Sequence, residues 1–310
     1  MLFDTFRQAR TTVDSFTRQR IAQGHEPTEL ALTELFLSAI CPPASYSQFT
    51  QRAESITGSD WVWWWTDGTE WFGSLVQAKR LHRSTSGYRI DIMYNNGLQK
   101  ETLKDAARLL EVVPLYCIFA GPTDFRLDVN CGNTHVRENC LRCESLGVAV
   151  VPAIAAERPY VFSQTGDSAA RKVLTVAACL EDLALPATPL GDSRVPDLNL
   201  NHQNLDPDVR AFLMQPQTGV RNVAKEIFKI VSELRSLQFS AATLDATLES
   251  GVEDAVFRVL PEDRGHFSES YFHHCLRGLR RRPPAYVDSI LQGEEAKLPP
   301  NVSGVTIIRM

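Results

Sequence analysis

The chain has 310 residues, of which 44% are hydrophobic, 22% charged and 9% aromatic, a composition that excludes disordered, collagen-like and disulfide-scaffold classes and supplies one large core or two modest ones. Its 32 Lys plus Arg stand against 37 Asp plus Glu, a formal charge of -5, which excludes a surface that is basic throughout and confines any nucleic-acid contact to a local patch.

Residues 1–23 are read as an N-terminal helix. Leu32, Phe36 and Ile40 recur at helical spacing after Pro27-Thr28-Glu29, so a helix is expected from about Pro27 to Cys41, stopped by Pro42-Pro43. All five tryptophans lie between Trp61 and Trp71, around an Asp67-Gly68 turn signal, which predicts antiparallel strands over Asp60 to Trp65 and Trp71 to Leu81. Alternation predicts a third strand over Tyr88 to Tyr94. Leu103, Ala106, Ala107 and Leu110 form one stripe of a helix over Leu98 to Glu111. Val112 to Gly121 is a continuous apolar run, read as a strand buried on both faces. This order, helix, two or three strands, helix, strand, predicts an α/β fold with a mixed sheet flanked by helices.

Further along, Leu146 to Ala153 reads as another buried strand and Val220 to Leu237 as an amphipathic helix. Ala184 to Gly219, with Pro186, Pro189, Pro196, Pro207 and Pro216, reads as a long irregular connection. Val302 to Ile308 is a candidate last strand. The expected organisation is the N-terminal helix, an α/β core over 24–160, and a mainly irregular and helical extension over 161–310 packed on that core.

The segment that carries chemistry is Gly58-Ser59-Asp60-Trp61, followed after the turn by Leu75-Val76-Gln77-Ala78-Lys79-Arg80. Side chains alternate along a strand, so Gln77 and Lys79 share a face, and Asp60 starts the neighbouring strand. Oxygen donors from Asp60, Gln77 and the Ala78 backbone carbonyl suit Mg²⁺ or Mn²⁺. Such an ion activates water and polarises a phosphodiester, while the Lys79 ammonium offsets the charge that grows in the transition state.

Asp60, then Gln77-x-Lys79 on the next strand, with a preceding helix bearing Glu29, resembles the PD-(D/E)XK nuclease superfamily in its glutamine variant, as in Mrr-like restriction enzymes. The run Gly58 to Lys79 with Trp61, Trp63 and Trp64, then Pro114-Leu115-Tyr116-Cys117, resembles more closely a family of uncharacterised bacterial proteins defined as a domain of unknown function. The resemblance covers about Gly24 to Gly121, and more loosely Tyr286 and Val302 to Ile308. It implies a restriction-endonuclease-like core, metal-dependent cleavage of nucleic acid, DNA before RNA, and a role in bacterial defence or genome maintenance. The motif departs from the common pattern in having Ser59 before Asp60 and glutamine at 77, which removes a negative charge from the ion's site. Glu26, Glu29, Glu34 and Glu54 are all candidates for the helical acid. Glu29 is favoured because it falls in line with Leu32, Phe36 and Ile40.

Other signals have plainer readings. Cys131-x3-His135-x4-Cys140-x2-Cys143 has the residue types of a zinc site, but free or buried cysteines with an incidental histidine are preferred. His273 to Arg282 is the most basic run; a solvated helix end is preferred over phosphate contact. Trp61, Trp63 and Trp65 fall on one sheet face and Trp64 on the other, and packing under a helix is preferred over base stacking. Phosphate-binding loops, dinucleotide fingerprints, His-Glu-x-x-His and Gly-x-Ser-x-Gly do not occur. The longest strongly apolar run, Val148 to Ala156, is far below the roughly 20 residues that span a bilayer. Charges at Asp4, Arg7 and Arg10 displace a secretory signal, and seven thinly spread cysteines suit a reducing compartment, so a cytoplasmic address without membrane contact is expected. The competing functional class is a nuclease-like module that has lost turnover and binds nucleic acid or protein. A homodimer and an unidentified protein partner both stay open.

Overall fold

The computed structural model describes residues 2–42, 44–48, 61–93, 98–126, 129, 140–163, 165–185, 195, 198, 205–237, 247–263, 269–296, 299, 302 and 304–310. Helix α1 (Leu2–Ala22) turns Leu2, Phe6, Ala9 and Val13 inward at alternating spacings of four and three. Helix α2 (Glu29–Ala39) starts where the Thr28 hydroxyl accepts from the Ala31 amide at 3.2 Å, an N-cap that satisfies one of the orphan donors of the first turn. It is the helix expected over Pro27 to Cys41, trimmed by its cap and by the prolines beyond.

Strand β1 (Ala44–Gln48) precedes the tryptophan hairpin, β2 (Trp61–Thr66) and β3 (Trp71–Ser84). In the hairpin turn, the Asp67 carboxylate accepts from the amides of Thr69 at 2.9 Å and Glu70 at 3.0 Å, and Gly68 adopts a φ of +88° that other residues rarely take. Strand β4 (Gly87–Ile90), helix α3 (Leu98–Leu109) and strand β5 (Val113–Phe119) follow. Strand β4 covers the first half of the strand expected to run to Tyr94, a residue outside those described. Then come α4 (Leu141–Ser145), β6 (Val148–Pro152), α5 (Ala153–Phe162), α6 (Gly166–Val176), β7 (Ala178–Cys179) and α7 (Leu180–Leu183).

The proline-rich stretch contains a helix that the sequence reading missed. Helix α8 (Pro207–Met214) opens on Pro207, with the Asp206 carboxylate accepting from the Asp208 amide at 2.9 Å. Proline interrupts a helix interior, but at the first helical position its missing donor costs nothing. Helix α9 (Gly219–Ser236), strands β8 (Thr247–Glu249) and β9 (Val259–Pro261), helix α10 (Tyr271–Leu276), strand β10 (Leu279–Arg280), helix α11 (Ala285–Gln292) and strand β11 (Gly304–Arg309), with one turn of 3₁₀ helix at Thr123–Arg126, complete the described elements.

The principal sheet is mixed, in the order β1-β11-β2-β3-β5-β6-β7, with β4 and β10 also paired to β3. Pairs β11–β2 and β3–β5 are parallel; β1–β11, β2–β3 and β5–β6 are antiparallel. One face carries Trp61, Trp63, Trp65, Phe72, Val76 and Ala78 against apolar residues of α1, α2 and α9. The other carries Val62, Trp64, Leu75, Tyr116 and Ile118 against α3, α5 and α6. Each large apolar side chain so buried contributes about 2 to 3 kcal/mol. No described helix is long and apolar enough to cross a membrane.

Candidate active site

Strand β3 is buried from Phe72 to Lys79 because it has neighbours on both edges and helices over both faces. The register decides what lies on each side. Ala78 pairs with Cys117 and faces the α1–α2 layer, whereas Gln77 pairs with Tyr116 and Lys79 with Ile118, both on the α3–α5 face. Gln77 and Lys79 therefore share a face, as their i, i+2 spacing requires. They are 2% and 4% exposed, and the position is unusual for a lysine, which is almost never fully buried without a partner.

The partner comes from α3. Lys79 Nζ donates to Gln99 Oε1 at 3.0 Å, a neutral amide, and among the described residues no carboxylate lies within ion-pair distance of Lys79. Gln99 was missed by the sequence reading, although it stands four residues before Leu103 and so belongs to the same stripe of the helix.

The helical acid reaches β3 from the other layer. Glu29 Oε1 accepts from the backbone N–H of Arg80 at 3.1 Å, beyond the last described β2–β3 pair, Trp61 with Val76. Backbone donors of a strand lie close to the plane of the sheet, so the Glu29 carboxylate sits at the strand's edge, beside the residue that follows Lys79. Glu26 binds the same arginine through its guanidinium, Arg80 Nη1 to Oε2 at 2.6 Å, and lies 3.5 Å from His82 Nδ1. His82 faces Asp91 at 3.4 Å with its other ring nitrogen. Burial, with the Arg80 charge adding to it, holds the His82 imidazole below its usual pKa. Glu34 is exposed, and Asp60 and Glu54 lie outside the described residues.

Tyr116, across from Gln77, is fully buried. Burial, and next the Glu157 carboxylate, raise its phenol far above the usual range, so it stays neutral. Glu157 of α5 pairs with Lys100 at 3.4 Å and Lys104 at 3.3 Å, and Glu101 with Lys104 at 3.0 Å. The two Glu157 bridges tie the first half of α3 to α5.

Part of the basic run departs from its expected reading: Arg281 and Arg282 are exposed, but two other arginines turn inward. Arg277 and Arg280 are 8% and 7% exposed, not solvated. Arg277 Nε donates to the Val112 carbonyl at 2.6 Å, and Arg280 Nη2 to those of Leu110 at 3.1 Å and Glu111 at 3.0 Å. They satisfy carbonyls at the end of α3, a helix remote in sequence, so they are committed to structure and not to phosphate. Glu269 completes the group: it binds His274 Nδ1 at 2.6 Å and Arg277 at 3.3 Å. Burial pushes its carboxyl up, but His274 and Arg277 outweigh that and hold it at about 2.

The tryptophans are packed as expected. Trp61, Trp63, Trp64 and Trp65 are each at most 8% exposed, Trp63 stacks on Phe36 at 6.2 Å, and Trp64 Nε1 donates to the Tyr286 hydroxyl at 2.8 Å. Of the residues considered for zinc, Cys131 and His135 lie outside the described residues. Cys140 precedes α4 and Cys143 is buried within it. Among the described residues no three His, Cys, Asp or Glu side chains gather as a metal site.

No curated protein matches the chain. A family model does, over residues 2–310, nearly every position from α1 to β11. Tryptophan hairpin, buried Gln77-x-Lys79 strand and C-terminal strand thus all fall inside one matched unit, and the chain belongs to DUF6615, a family of unknown function.

Proposed function

We propose that this chain is a divalent-metal-dependent nuclease of restriction-endonuclease-like fold that cleaves phosphodiester bonds, in DNA before RNA. The observation that carries the reading is the placement of Gln77 and Lys79 on one face of β3 with Glu29 bound to the backbone of the next residue. Asp60 immediately precedes Trp61 in sequence, and Trp61 pairs with Val76, the neighbour of Gln77.

The donors fit a hard cation. Asp60, Glu29, the Gln77 side-chain carbonyl and the Ala78 backbone carbonyl are all oxygens, as Mg²⁺ or Mn²⁺ requires. A carboxylate offers about four lone-pair sites, so the Arg80 amide leaves Glu29 capacity to ligate. When bound, the ion supplies Lewis acidity and a water of lowered pKa. The rest is the chain's own work. Lys79 presents a compact positive charge in a place closed to bulk water, where it offsets the phosphorane's growing charge far better than it would in solvent. Tyr116, held neutral, adds no anion beside it.

A second reading is a non-catalytic module of the same fold that binds nucleic acid or protein, and its protein-binding form draws support from the burial of Arg277 and Arg280. Their commitment to α3 removes two of the cations on which a nucleic-acid surface would depend. Titration of Mg²⁺ and Mn²⁺ against supercoiled, linear and single-stranded DNA and against RNA separates the two. Cleavage by wild type that is lost in Asp60→Ala supports the nuclease. Identical inert behaviour of both proteins on every substrate favours the module.

A further inference from the structure

We propose that Gln99 is a positioning residue for Lys79: it fixes the ammonium by a hydrogen bond while leaving its charge whole for an anionic substrate. The inference rests on reading the β3 site as a phosphodiesterase. Lysine has donors only, so the Gln99 amide must present its oxygen to Lys79. A carboxylate in that place would anchor the ammonium as well, but it would cancel the positive field at the reacting phosphorus.

The surroundings reserve the amide for this lysine. Among the described residues, two carboxylates beside the first half of α3 are taken by other cations, Glu157 by Lys100 and Lys104 and Glu101 by Lys104. Among the described residues, the acceptor of Lys79 is the neutral Gln99 amide. The two Glu157 pairs clamp α3 to α5, so the turn that carries Gln99 is held by neighbours. A group positioned in this way keeps its geometry through the reaction.

The test uses the full chain carrying ¹³Cε-lysine, with the Lys79 signal assigned by its loss in Lys79→Arg. Gln99→Met keeps the length of the side chain and removes the acceptor. It should move the Lys79 signal, leave those of Lys100 and Lys104 in place, and lower kcat by about tenfold to a hundredfold, with KM and Mn²⁺ affinity within about twofold of wild type. Gln99→Glu keeps an acceptor but adds a charge, and should also lose turnover. An unmoved Lys79 signal in Gln99→Met, or wild-type kcat in either variant, overturns the proposal. A wild type that cleaves nothing sinks the reading of the site instead, and the lysine signal still decides the contact.

Discussion

Helix α3 has a buried cationic group at each end, and the two are built in opposite ways. At its C-terminal end Arg277 and Arg280 meet three backbone carbonyls, and Glu269 and Glu111 lie within reach of their guanidinium groups. There the helix dipole favours positive charge, by about 0.3 to 1 kcal/mol at an exposed end and more in a buried one. At the other end Lys79 meets a single amide in the first turn, where the same dipole opposes it. Desolvation of an ion costs several kcal/mol; among the described residues, the arginines offset part of it through several acceptors, although Arg277 Nη2 and Arg280 Nε keep no partner and burial lowers both pKa values, whereas Lys79 has one amide.

The difference can be broken from either side. The largest effect is expected at the arginines. Arg277→Met strands the Val112 carbonyl and the Glu269–His274 pair, and should lower the unfolding free energy by about 3 kcal/mol in denaturant titrations. Turnover per folded molecule should hold. Lys79→Met should do the reverse. It exchanges a poorly compensated buried charge for an apolar chain, so stability should change by less than about 1 kcal/mol or rise, while metal-dependent cleavage falls by a factor of about a hundred or more. A Lys79→Met protein as unstable as Arg277→Met would erase the contrast.

The pH dependence of folding gives a third handle, of about 2 kcal/mol. Glu269 is held at about 2, below its ordinary 4.5, so its contribution is complete above the unfolded value and is lost as pH falls from about 4.5 towards 2. Burial lowers the His274 pKa, which makes the unfolded chain the better proton binder below about 6.5 and adds acid sensitivity of the same sign. Glu269→Gln should flatten the stability curve between pH 5 and 2. An unchanged slope would show that the carboxylate is not held by its neighbours. The smallest expected effect is that of Gln77→Glu, which returns a negative charge to the ion's proposed site: Mn²⁺ should bind more tightly in calorimetry, with cleavage retained or raised. Weaker binding would place the ion elsewhere.

Local patterns in the sequence reached α1, α2, β2 to β6, α3, α9 and β11, but not α5 or α6. The Asp67-Gly68 turn, the apolar run of β5 and the stripes of α2 and α9 each carry their signal within a dozen residues, and each formed near its expected bounds. The i, i+2 relation of Gln77 and Lys79 was legible for the same reason. What escaped depends on contacts between distant segments. Gln99 is an ordinary polar residue at the start of a helix until β3 is laid beneath it. The basic run from His273 gives no sign that Arg277 and Arg280 turn inward, because the carbonyls they bind lie in the distant turn between α3 and β5. Helix α8 was hidden by reading Pro207 as an interruption, when Asp206-Pro207 is a competent helix start.

The pairing of β11 has a consequence for how the protein is made. Val305 lies beside Val62 and Ile307 beside Trp64, so one edge of β2 stays unpaired on the ribosome until residues 304–309 have been synthesised. During that interval the nascent chain holds a tryptophan-rich strand with an open edge, the kind of surface on which chains associate wrongly. Parallel pairing between segments so far apart is slow to find. Folding of this domain should therefore depend on holdase chaperones early in translation, and truncation before β11 should yield aggregates instead of a smaller folded protein.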